Sequence, residues 1–271
     1  MNEAPVMLDE DGIAIHSSAG DGDRVLWLHG YTLDSRIWTD MWSQLPGWHH
    51  LGVDLPGHGA SRPLDPAETL PRMARSLARL AAKYEVNHVV GLSFGGMVAL
   101  QLAIESSRPL ASLILGSPAL GGGPQDPHAQ TRHVELIRLY RERGSGPWLR
   151  ELWMQWPPDI FKGVAADPRL WKRLCGIVDD HGWLELENLQ MGNLVSYPQR
   201  AAQLRQISAA TLVLVGEHDM LAFKRSAELI RRAIPRCKRI YVPAVGHLCL
   251  LEATTLLHSV IRSHFSQATL P

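Results

Sequence analysis

Short runs of consecutive apolar residues punctuate this chain, and longer stretches of helical periodicity fill the intervals. The runs are Val25-Leu26-Trp27-Leu28, Leu51-Gly52-Val53, Val89-Val90-Gly91-Leu92, Leu113-Ile114-Leu115, Leu212-Val213-Leu214-Val215 and Ile240-Tyr241-Val242, with Gly, Pro or Asp close behind. A strand that is apolar at every position has both faces buried, as in a parallel sheet covered by helices. The stretch from Val6 to His16 reads instead as a hairpin turning at Asp11-Gly12. Between Leu70 and Tyr84 the residues Leu70, Met73, Leu77, Leu80, Ala81 and Tyr84 recur at helical spacing, opposite Arg72, Arg75 and Arg79. Further helices are predicted from Phe94 to about Glu105, from about Lys224 to Ile234 and from about Ala253 to Phe265.

The alternation stops between Gly121 and about Gln206. No strand pattern appears there, but several helical stretches do, opening after the loop Gly121-Gly122-Gly123-Pro124. Five of the nine tryptophans fall in it: Trp148, Trp153, Trp156, Trp171 and Trp183. A helical insertion with large apolar side chains suits a lid over a pocket. The same tryptophans would equally fill a small core of their own. The expected organisation is a core of residues 1–120 and 207–271 interrupted by a helical cap, 121–206.

Composition narrows the class. Lys plus Arg and Asp plus Glu are equal at 27 each, so no overall basic field recruits nucleic acid or anionic lipid. No apolar run approaches the ~18 residues of a membrane span, and Met1-Asn2-Glu3-Ala4-Pro5 does not open like an export signal. Three scattered cysteines, Cys175, Cys237 and Cys249, fit neither a disulfide framework nor a zinc cage and suit a reducing compartment. A cytoplasmic α/β enzyme acting on a small molecule is the class that remains.

The chemistry concentrates at Gly91-Leu92-Ser93-Phe94-Gly95-Gly96, directly after one predicted strand and before a predicted helix. A serine on so sharp a turn exposes its hydroxyl, and the flanking glycines let neighbouring backbone approach. A serine hydroxyl is a weak nucleophile that needs a histidine base and an acid to orient it. Asp219 lies at the carboxyl end of the Leu212–Val215 run, and His247 follows the Ile240–Val242 run. Strand ends of an open parallel sheet are where such groups gather. Glu217 is the rival acid; the Leu113–Leu115 run leads into Gly116-Ser117-Pro118-Ala119, which offers none.

On these motifs the chain resembles the α/β-hydrolase superfamily over essentially its whole length. The resemblance implies a mostly parallel twisted sheet flanked by helices, with a helical cap, and a Ser93–His247–Asp219 triad. His29-Gly30-Tyr31-Thr32 resembles the loop whose backbone N–H, here that of Tyr31, forms half of an oxyanion hole; the N–H of Phe94 is the other half. Asp54-Leu55-Pro56-Gly57-His58-Gly59-Ala60-Ser61 resembles another loop of the superfamily, in which Asp54 and His58 read as structural. Gly246-His247, an apolar run and Glu252 match its histidine loop. Superfamily dehalogenases and epoxide hydrolases carry aspartate where Ser93 stands, and proline iminopeptidases usually have Trp in place of Phe94. Gly-Leu-Ser-x-Gly-Gly-Met is similar to small carboxylesterases and 3-oxoadipate enol-lactonases.

The resulting expectation is hydrolysis of a carboxylic ester or lactone, with no cofactor and no metal. A thioesterase is the alternative within the mechanism, and a ligand receptor or non-hydrolytic catalyst the alternative outside it. Tyr31, Trp148, Trp153 and Trp156 are the candidate substrate contacts, and the chain is expected to be a monomer or homodimer. Arg132, Arg138, Arg141, Arg143 and Arg150 could receive an anionic acyl group, although Glu135 and Glu142 favour a solvated, ion-paired face. Cys249 reads as an inert core thiol.

Overall fold

In a computed structural model, which describes residues 6–18 and 20–270, the apolar runs become one eight-stranded sheet. The strands are β1 (Met7–Leu8), β2 (Ala14–Ser18), β3 (Arg24–Leu28), β4 (His49–Val53), β5 (His88–Leu92), β6 (Ser112–Gly116), β7 (Ala210–Gly216) and β8 (Cys237–Val242). Their spatial order is β1-β2-β4-β3-β5-β6-β7-β8. The β1–β2 hairpin and the β2–β4 pair are antiparallel, and every other pairing is parallel. The hairpin turns where the sequence predicts: Asp9 Oδ1 accepts the N–H groups of Asp11 and Ile13, and Gly12 takes a positive φ of 72°. Met1 to Pro5, read as lacking an export signal, lie outside the described residues.

Three helices accompany the first half of the sheet: α1 (Thr39–Ser43), α2 (Leu70–Lys83) and α3 (Phe94–Glu105). Helix α2 starts where the Thr69 hydroxyl accepts the Arg72 N–H. It buries Leu70, Met73, Leu77, Leu80 and Ala81 while Arg72, Arg75 and Arg79 stay exposed. Between β6 and β7 the described residues form α4 (Pro127–Arg143), α5 (Pro147–Trp153), α6 (Pro168–Asp179), α7 (Gln190–Ser196) and α8 (Ala201–Leu204), with no strand among them. Both α4 and α6 begin with Asp-Pro: the Asp126 and Asp167 side chains accept first-turn N–H groups, and Pro needs no partner there. After β7 come α9 (Leu221–Ala233), α10 (Cys249–Glu252) and α11 (Thr254–Gln267). Among the described residues no helix is long and apolar enough to cross a membrane.

Alternate residues of each inner strand feed different cores. Leu26, Leu28, Leu113, Leu115, Val213 and Val215 face α2, α3 and α9. Val25, Trp27, Ile114, Leu212 and Leu214 face α1 and α11. The second core runs on without a break into Trp153, Phe161, Leu174 and Trp183 of the helical segment. Those two tryptophans therefore do not fill a core of their own. Parallel registry aligns the strand ends: Leu28 lies opposite Gly91, Leu92 opposite Gly116, Gly116 opposite Leu214, and Gly216 opposite Val242. The loops bearing His29–Thr32, Ser93, Asp219 and His247 consequently emerge along one edge.

Candidate active site

Ser93 sits between β5 and α3 with φ 55° and ψ −114°, a conformation a non-glycine residue holds only under constraint. The constraint comes from backbone: the Ser93 N–H donates to Gly116 O at 2.8 Å, and its carbonyl accepts from Gly96, Met97 and Ala119. The neighbouring glycines are obligatory here. A Cβ on Gly91 would overlap the Gly95 carbonyl, and one on Gly95 would overlap the carbonyl oxygens of Leu28 and His29. So tight a turn leaves the Ser93 side chain only partly covered and presses it against the β3 loop, where a Cβ on Gly30 would lie 3.6 Å from Ser93 Cβ.

The structure brings Ser93, His247 and Asp219 into one hydrogen-bonded line. Ser93 Oγ is 2.8 Å from His247 Nε2, and His247 Nδ1 is 2.9 Å from Asp219 Oδ1. The imidazole is buried, and the Phe223 ring lies 4.1 Å from it, centroid to centroid. Asp219 Oδ1 also accepts the Met220 N–H at 2.7 Å. The rival Glu217 is exposed and points elsewhere: its Oε2 accepts the Ala244 N–H at 3.0 Å. An aspartate bonded to one imidazole nitrogen fixes which nitrogen faces the serine, leaving Nε2 free to take the hydroxyl proton.

Opposite His247, His29 holds the β3 loop. Its Nε2 accepts the Leu55 N–H at 2.8 Å, so Nδ1 carries the proton and donates to Gly30 O at 2.8 Å. Burial lowers the pKa of His29, and the neutral ring is the form those two bonds require. Among the described residues, neither the Tyr31 nor the Phe94 N–H donates to the chain. Asp54 and His58 take loop positions. Asp54 accepts from the Ser35 N–H and hydroxyl and from the Ala60 N–H; although burial alone would raise its carboxyl, its contacts with His16, His29 and Ser35 bring it far below the usual range. His58 is buried against the rings of His29, Tyr31, Phe94 and His181.

Two bridges reach this loop from the helical segment, and the sequence showed neither. The Trp153 Nε1–H donates to Thr32 Oγ1 at 2.7 Å, and that hydroxyl donates to the Tyr31 carbonyl at 2.7 Å. The Tyr31 hydroxyl donates to Glu185 Oε1 at 2.6 Å, and His181 Nε2 lies 3.0 Å from the same oxygen. Burial alone would raise the Glu185 carboxyl, but His181 and Tyr31 outweigh it and bring it to about 2. Burial first, and then Glu185, push the Tyr31 phenol well above its ordinary value. The one available signal was the four-residue spacing of His181 and Glu185, which puts two such side chains on one face of a helical turn.

The other tryptophans of the sequence reading lie elsewhere. Trp148 donates to Gly144 O at the end of α4 beneath the Arg143 guanidinium, and Trp156 is 48% exposed against Trp171. Arg132 is not on a solvated face: it is buried and bonds the carbonyls of Leu152, Gln155 and Pro157 as well as Glu135. Burial pushes the Cys249 thiol up to about 12. Among the described residues no group of three or more His, Cys, Asp and Glu side chains could hold a metal ion.

Known proteins share this architecture. Residues 25–257 match the model of the alpha/beta hydrolase family. The chain is 27% identical to a pimeloyl-[acyl-carrier protein] methyl ester esterase of Nitrosomonas europaea, over 88% of this chain and 94% of that one. It is 37% identical to a dihydrolipoyllysine-residue acetyltransferase component of the acetoin cleaving system of Cupriavidus necator, over 94% of this chain and 67% of the relative. The carboxylesterase CesB of Bacillus subtilis superposes with a TM-score of 0.81 at 21% identity, covering 98% of this chain and 92% of the other.

Proposed function

This chain belongs to the alpha/beta hydrolase family, and on that premise we propose that it hydrolyses a carboxylic ester through an acyl-serine intermediate. The continuous line from Ser93 Oγ through His247 to Asp219 carries the reading. Ser93 Oγ attacks the ester carbonyl while its proton passes to His247 Nε2. The N–H groups of Tyr31 and Phe94 receive the oxyanion. The C–O bond to the alcohol then breaks, and His247 returns the proton to the departing alkoxide. Water attacks the acyl group with His247 again as base; the acid leaves and Ser93 regains its proton. Asp219 holds the imidazole orientation and stabilises the imidazolium. Residues 121–206 act as a cap, with Tyr31 and Trp153 facing the substrate.

An esterase among the relatives fits this reading, and an acetyltransferase component among them is a reminder that the fold does not fix the reaction. The test is turnover of a panel of unactivated esters, lactones and acyl thioesters, together with fluorophosphonate labelling. Repeated ester turnover that disappears in Ser93→Ala, with labelling at Ser93, supports the proposal. Turnover confined to thioesters would change the substrate class, and labelling without turnover of any unactivated substrate would favour a receptor.

A further inference from the structure

Glu252, at the end of α10, grips the backbone on both sides of His247. Its Oε2 accepts the Gly246 N–H at 2.6 Å, and its Oε1 accepts the Leu248 N–H at 3.0 Å. One rigid carboxylate thus fixes the peptide groups before and after the imidazole, whose own ring is fixed by Asp219 and Phe223. The helical segment closes over this contact. Gly163 packs so closely that a Cβ there would overlap Glu252 Oε2, and its Cα is 3.4 Å from where a Cβ on Gly246 would stand. The far side of Glu252 opens on a cleft of about 710 Å³ between α1, α6 and α11, where Asp40, Asp167, Arg169 and Arg173 are the other charged groups.

We infer that Glu252 is a positioning residue for the base: its carboxylate sets where His247 stands and supplies a second negative charge, besides Asp219, that stabilises the imidazolium. The inference rests on His247 being the base of the proposed reaction. Burial raises the Glu252 carboxyl; its two N–H donors and the charge of His247 oppose that, and the charge of Asp219 adds to it. The carboxylate lies against the peptide groups on both sides of His247, so its negative charge favours the imidazolium that forms there. A bystander holding only the fold together would not do this.

Three variants separate charge from geometry. Glu252→Gln turns an NH2 group toward one of the two backbone donors and removes the charge. It is expected to lower kcat about 10- to 100-fold with KM nearly unchanged, and to shift the acid limb of kcat/KM about half a pH unit or more downward. Glu252→Asp keeps the charge but not the reach, so kcat falls while the acid limb moves less than in Glu252→Gln. Gly163→Ala displaces the carboxylate from a residue with no catalytic role, and kcat falls together with the thermal midpoint, since the added methyl overlaps Glu252 and frees its two N–H partners. Fluorophosphonate labelling of Ser93 and the NMR titration of His247 are followed alongside. Wild-type kcat and an unmoved His247 titration in folded Glu252→Gln would overturn the inference. A wild-type chain that neither labels nor turns over any ester would instead overturn the proposed reaction.

Discussion

On the sheet side of the site, Ser93, Asp219 and His247 hang from strand ends whose positions follow from parallel backbone pairing. On the helical side, Trp153, His181 and Glu185 reach the same place through side-chain contacts with Tyr31 and Thr32. The first wall is rigid because moving one strand end would break a ladder of hydrogen bonds shared with its neighbours. The second shares an apolar core with the sheet, but its polar contacts with the β3 loop are side-chain bonds: Tyr31 and His181 on the buried Glu185 carboxylate, and Trp153 on Thr32. The proposed chemistry, which needs fixed distances, draws on the first wall, and contacts that can vary without unfolding the sheet make up the second.

The largest effects belong to the sheet side. Ser93→Ala and His247→Ala are expected to lower kcat by about 10⁴-fold or more, with residual catalysis left to the oxyanion N–H groups. Asp219→Asn favours the wrong imidazole tautomer and is expected to cost on the order of 10⁴. Glu217→Gln should cost little, since the Glu217 carboxylate is exposed and accepts the Ala244 N–H, away from His247. Steady-state kinetics on variants with wild-type circular dichroism decide the matter. A loss at Glu217 that matched the loss at Asp219 would dissolve the assignment of the rigid wall.

The next effect is on stability and belongs to the helical side. Removing Glu185 leaves the Tyr31 hydroxyl and His181 buried without their shared acceptor, so Glu185→Ala is expected to cost about 3 kcal/mol in denaturant unfolding. The same carboxylate makes stability depend on pH. Its folded pKa of about 2 lies below its ordinary value of 4.5, so the stabilisation is complete above about pH 4.5 and is lost as pH falls toward 2. That shift corresponds to on the order of 3 kcal/mol. Unfolding free energies measured from pH 6 down to pH 2 should fall less steeply in Glu185→Gln than in wild type. Parallel slopes would mean that other carboxylates tie the helical segment down.

The same contrast explains what the sequence made legible. Every run read as a strand became one, and the inner strands show why: a strand buried on both faces must be apolar at each position and shows that locally. The expected burial fails at Ile240-Tyr241-Val242, because β8 is the edge strand and leaves Ile240 and Tyr241 exposed. Helix α9 begins at Leu221, about three residues before the predicted start, because Leu221 is exposed and contributes nothing to the apolar stripe. The one-turn helix α10 went unread: Cys249-Leu250-Leu251-Glu252 spans barely one period, so no periodicity can recur in it. Ser93, Asp219 and His247 were visible because each follows a strand. Glu185 was not, because its bond to a tyrosine 154 residues away leaves no local pattern, and its four-residue spacing from His181 falls in a stretch that is not a regular helix. Tryptophan was a poor guide for a related reason. Trp148, Trp153 and Trp156 differ in what their rings meet, and spacings of five and three residues do not encode that.

The smallest effect distinguishes those three. Trp153 touches the Tyr31 ring at 5.4 Å between centroids and, through Thr32, orients the Tyr31 peptide. Trp153→Ala is therefore expected to change the ratio of kcat/KM between bulky and small acyl esters by about tenfold, the scale on which one pocket contact discriminates. Trp148→Ala removes a bond to the Gly144 carbonyl and the contact with Arg143, both at the α4–α5 corner, and Trp156→Ala removes an edge contact with Trp171. Neither ring is buried in the site, so each variant should leave those ratios within about twofold of wild type, as surface substitutions usually do. The three are compared on one ester panel, with unfolding midpoints measured on the same preparations. If Trp156→Ala reordered the panel and Trp153→Ala did not, substrate would be approaching Ser93 past the exposed end of α5, and the wall assigned to Trp153 would be only a support for Thr32.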